Sequence, residues 1–115
     1  MIAYLIAAST PGYRALAAEH LDGLGWAIAD TELVAVTRYA EAVPLLRVFH
    51  PKVPVVGESI IAAPAQEAQS EAVWWYWLPD GSPLAPCTDL PRTVERIFEA
   101  LDPIIRIAHR VCSAS

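Results

Sequence analysis

Residues 72–86 read AVWWYWLPDGSPLAP, with Trp74, Trp75, Tyr76 and Trp77 in unbroken succession before a turn rich in Pro, Asp and Gly. A strand sends alternate side chains to opposite faces, so Trp75 and Trp77 share one face while Trp74 and Tyr76 share the other. Both faces of the strand then carry aromatic bulk. A domain of 115 residues has one core to fill, so the second aromatic face calls for a covering layer, a symmetry mate or a ligand. A carbohydrate, peptide or aromatic-ligand platform wants acidic and amide groups close by. The chain has no Asn, and its Gln residues are confined to 66 and 69, so that platform is the least supported of the three readings.

The surrounding sequence supplies the layers. Upstream, TPGYRALAAEHLDGL (10–24) predicts a helix: Thr10 can cap it, Pro11 suits the first helical position and Gly25 follows as a stop. Tyr13, Leu16, Ala17, His20, Leu21 and Leu24 fall three and four apart and form its apolar stripe. Trp26–Ala29 then reads as a short strand, residues 33–43 as strand followed by loop, and PLLRVFH as a strand bracketed by Pro44 and Pro51. A further strand is expected around Glu58 to Ala63, and the polar QEAQSE segment reads as a turn before the aromatic strand, Ala72 to Leu78. Connections this short dictate an antiparallel meander of three to four strands.

Downstream, DLPRTVERIFEALDP carries Leu90, Val94, Ile97, Phe98 and Leu101 on one stripe, with Thr88 or Asp89 as the cap. Pro103 either kinks this helix or opens a last one bearing Ile104, Ile107 and Val111. The predicted class is α+β, with helix and C-terminal helix, or kinked helix pair, packed on one face of the sheet. Residues 1–115 are read as a single small domain, with about 103–115 a C-terminal helical extension.

Composition narrows the function. Apolar residues make up 55% and charged residues 18%, which leaves little polar surface and favours self-association. One lysine and seven arginines against thirteen acids give a net charge of −5 and no basic footprint for nucleic acid. The opening MIAYLIAAS is apolar but only nine residues long and has no preceding positive charge, so neither a membrane span nor a signal peptide is expected. The reading is cytoplasmic.

Few chemistries find a foothold. Cys87 and Cys112 form no metal or disulfide pattern, and His20, His50 and His109 share no HxxxH or CxxC spacing, so no metal or cofactor is expected. No GxGxxG, GxxxxGKS, GxSxG or HExxH occurs. Cys87, ahead of the last long helix, is the one conceivable nucleophile, with His20 or His50 as its base.

Taken together, ALAAEHLDGLGW, LLRVFHP with VPVVGESI, WWYWLPDGSPLAP and RTVERIFEAL resemble a group of small uncharacterised actinobacterial proteins. Their Trp-rich strand likewise runs into a Gly-x-Pro-[IL]-x-Pro turn ahead of a C-terminal helix. The resemblance implies the α-β-β-β-α order and no particular reaction. The arrangement is also similar to small secretion-chaperone-like domains, which dimerise and hold client segments.

The expected function is non-enzymatic protein binding, as an adaptor, chaperone-like or regulatory domain acting as a homodimer on a protein or peptide client. Trp75, Trp77 and Phe49 are the interface candidates, with Ile104, Ile107 and Val111 as a second patch. The alternative is a small enzyme or ligand-binding accessory protein of secondary metabolism, with Cys87, His20 and His50 lining a pocket.

Overall fold

The computed structural model describes residues 11–65 and 73–114. Thr10, the apolar opening, the QEAQSE segment and Ala72 lie outside the described residues. Helix α1 (Pro11–Ala29) leads into strands β1 (Val34–Arg38), β2 (Leu45–Phe49), β3 (Gly57–Pro64), β4 (Trp74–Trp77) and β5 (Pro83–Pro86), and helix α2 (Leu90–Ala114) closes the chain. The strands form one antiparallel sheet in the order β1-β2-β3-β4-β5. The α+β class and the two flanking helices are therefore as expected.

Two local expectations are corrected. Helix α1 does not stop at Gly25 but runs through it, and Trp26–Ala29 is its last turn rather than a strand. Leu21, Leu24 and Ile28 are all fully buried, and burying that i, i+3, i+7 row outweighs the roughly 1 kcal/mol helix penalty of a glycine. The helix ends where the Thr31 backbone N–H and hydroxyl both donate to the Ile28 carbonyl. Second, Pro83–Pro86 is a fifth strand, read in the sequence as part of a turn. It lies at the sheet edge, where a proline's missing N–H costs no ladder bond. Of the two readings of Pro103, a single helix is the one found: α2 passes through it, and Ile97, Leu101, Ile105 and Ala108 stay buried on either side. Its cap is Asp89, whose carboxylate accepts the Arg92 backbone N–H.

Sheet register sorts the side chains. Leu46, Val48, Ile60, Ala62 and Tyr76 occupy the inner face and join Leu21, Leu24 and Ile28 of α1 and Ile97, Leu101 and Ile105 of α2 in one core. Two long-range clasps fasten α1 to the sheet. The Tyr76 hydroxyl donates to the His20 carbonyl, and the Arg14 guanidinium donates to the carbonyls of Tyr39, Glu41 and Ala42 in the β1–β2 connection.

Candidate functional site

The aromatic strand β4 divides as its alternation requires. Tyr76 is 1% exposed in the core, and Trp74 packs between the rings of Tyr13 and His20 of α1, at centroid distances of 5.0 and 5.1 Å. Trp75 and Trp77 project from the opposite face, half-buried against each other with their rings 6.4 Å apart. The Trp77 indole N–H donates to the Ala63 carbonyl of β3, which fixes the ring against the sheet. Both helices contribute to the inner core, and Trp75 and Trp77 stand outside that cluster.

Register extends the outer face across the sheet. Ala63 pairs with Trp75 and Ile61 with Trp77; on β2, Leu45 pairs with Arg38, Arg47 with both Val36 and Ser59, and Phe49 with both Val34 and Gly57. Phe49 thus shares the face with the tryptophans but does not join them. Its partner Gly57 stands four residues from Ile61 along β3, about 13 Å at strand rise. The face has an aromatic and aliphatic half around Leu45, Ile61, Trp75 and Trp77, and a row where Arg47 bonds Ser59. The second predicted patch divides: Ile104 packs against the core, whereas Ile107 and Val111 are exposed.

The pocket residues of the alternative reading are dispersed. Cys87 lies beside Tyr76 behind β4, and burial pushes its thiol up to about 12, so it carries almost no thiolate near neutrality. His20 stacks on Trp74. His50 is elsewhere, in a cluster that the sequence spacing did not disclose. A recess of about 430 Å³ along α2 is lined by Glu95, Phe98, Glu99, Asp102 and Ile105, and by none of these three.

That cluster joins Glu32 of the α1–β1 loop, His50 at the end of β2 and His109 of α2. Oε2 of Glu32 lies 3.1 Å from Nε2 of His50 and 2.7 Å from Nε2 of His109. His50 is 5% exposed, whereas Glu32 and His109 are at the surface. The backbone N–H of Lys52 donates to Nδ1 of His50 at 3.1 Å. Nδ1 is therefore an acceptor, so a neutral His50 carries its proton on Nε2, directed at Glu32. The bond from His109, seconded by that from His50, holds the Glu32 carboxyl below the usual carboxylate range. Glu32 and His109 carried no sequence signal, because 77 residues separate them.

Comparison of the chain with protein-family models, with curated proteins and with solved structures finds no match in any of the three. Among the described residues, no helix is long and apolar enough to cross a membrane.

Proposed function

We propose that the protein is a cytoplasmic, non-enzymatic binding domain that works as a homodimer, with the outer sheet face as the contact between copies. The observation that carries this reading is the aromatic half of that face: Trp75 and Trp77, half-buried beside Ile61 and Leu45, stand outside the core that the described helices share with the sheet. A second copy supplies this five-stranded sheet with a layer of matching width and twist at about 10 Å. A two-fold contact centred on Trp77 and Ile61 leaves Arg47 towards the rim, where like charges are solvated rather than opposed.

Arg47 favours one further element of the reading, a client. With Arg38 it gives this face of an acidic protein a positive edge beside the aromatic half. An extended peptide with an acidic residue fits that edge. The adaptor or chaperone-like role then consists of dimerising through the tryptophans and holding the client beside them.

Light scattering across a concentration series tests the dimer. The expected result is a dimer that the Trp75→Ala, Trp77→Ala double variant dissociates at least tenfold more readily. A wild-type protein that stays monomeric to high micromolar concentration refutes it.

A further inference from the structure

We propose that Glu32, His50 and His109 together bind one divalent transition-metal ion of the zinc class. Two imidazole nitrogens and a carboxylate oxygen are zinc's own donor set and a poor one for calcium or magnesium, which take oxygen ligands. The three donor atoms lie within 4.8 Å of one another. A tetrahedral ion with bonds of about 2.0–2.2 Å holds its ligands about 3.3 Å apart. The two Glu32–imidazole separations, 3.1 and 2.7 Å, need to open by only a few tenths of an ångström, while the imidazoles draw together. The Glu32 and His109 side chains lie at the surface, 39% and 59% exposed. His50, buried, is the fixed member.

The Lys52 bond decides what binding must displace. To ligate through Nε2, a neutral His50 moves its proton to Nδ1, and the Lys52 N–H can no longer donate there. One such bond is worth about a factor of ten in equilibrium constant, small against the affinity of a His and carboxylate ligand set for zinc. The site therefore loads at the cost of one backbone bond, and it responds with a movement at Lys52. Three protein ligands leave a fourth position open to water or to a donor from a partner, as in exchangeable rather than closed zinc sites. The net charge of −5 favours cation approach. The loaded ion ties the α1–β1 loop, the end of β2 and the C-terminal helix together, and it does so whether or not the sheet face dimerises.

The test is zinc titration of the chelator-treated full chain by calorimetry, with Glu32→Gln and His109→Ala alongside. Both positions are at the surface, so these variants keep the fold. One equivalent bound at low-micromolar affinity or tighter, weakened about 100-fold or more in each variant but not in Glu19→Gln, is the expected result. In the amide spectrum, the Lys52 resonance shifts on loading. Absence of zinc uptake, or uptake that both variants retain, overturns the site; uptake that leaves the Lys52 amide in place overturns ligation by His50.

Discussion

Adjacent residues of the WWYW run should respond to truncation in opposite ways, one through stability and one through association. Tyr76 is 1% exposed and packs with both helices and the sheet, so Tyr76→Ala removes a full aromatic side chain from the core. Large aromatic-to-alanine changes of this kind cost about 3–5 kcal/mol, and the lost hydroxyl bond to the His20 carbonyl accounts for about 1 kcal/mol. For a chain this long each kcal/mol moves Tm by roughly 3–5 °C, which puts the drop at roughly 9–25 °C, with Tyr76→Phe losing only about 4 °C. Trp75 touches Trp77 and the sheet surface from the open face, and Trp75→Ala should cost about 1 kcal/mol or less in the dilute monomer. Its effect belongs instead in the mass measured by light scattering. Circular dichroism melts at the lowest workable concentration, paired with scattering at high concentration, separate the two. If Trp75→Ala melts as low as Tyr76→Ala and leaves the mass unchanged, the outer face is part of the chain's own core and the dimer reading fails.

Two further predictions bear on the scaffold. A methyl at Gly57 would stand 2.4 Å from the Val48 carbonyl oxygen and 2.9 Å from the Phe49 Cβ, so Gly57→Ala should cost about 1–3 kcal/mol by pushing β3 off β2. Gly23, inside α1 with nothing within 4 Å of the added carbon, should instead gain about 0.5–1 kcal/mol on Gly23→Ala; urea midpoints of the same sign for both would contradict the packing. The second concerns alkaline pH. Burial raises the Cys87 thiol to about 12, and burial also raises Tyr76 and Tyr39, the latter with help from its bond to Asp22. The fold therefore favours their neutral forms, and the resulting stability is complete below the unfolded values, about 8.5 for thiol and 10 for phenol. It is lost as pH climbs towards the folded ones. Tm should hold to about pH 8.5 and then fall, with Cys87→Ala delaying the onset towards the phenol range; a variant that tracks the wild type at every pH would exclude the thiol.

Elements with strong periodicity were legible. The α2 stripe of Leu90, Val94, Ile97 and Leu101, the alternating LLRVF and the four aromatics all sit in the elements their patterns predict. What failed was punctuation. Gly25 reads as a stop, yet it lies inside a helix whose flanking apolar residues are buried on the core; tertiary burial outweighs a local preference worth about 1 kcal/mol. Pro83 and Pro86 hid β5 for the converse reason. Proline argues against a strand only where both edges are paired, and β5 has one free edge.

The candidate sites differ in legibility for a physical reason of the same kind. The outer sheet face is written in one short segment, because strand alternation is local: Trp75 and Trp77 share a face once β4 exists. The cluster of Glu32, His50 and His109 depends on three non-local arrangements at once. The last turn of α1 must carry past Gly25 so that the Thr31 turn delivers Glu32 beside β1. The β2 strand must keep His50 in phase with buried Leu46 and Val48. And α2 must continue through Pro103 for His109 to reach them. A helix broken at Pro103, or a strand in place of the last turn of α1, would remove one partner. The misread stop at Gly25 is therefore part of what conceals the cluster: a strand in place of the last turn of α1 does not deliver Glu32 to His50 and His109, which stand 18 and 77 residues away along the chain.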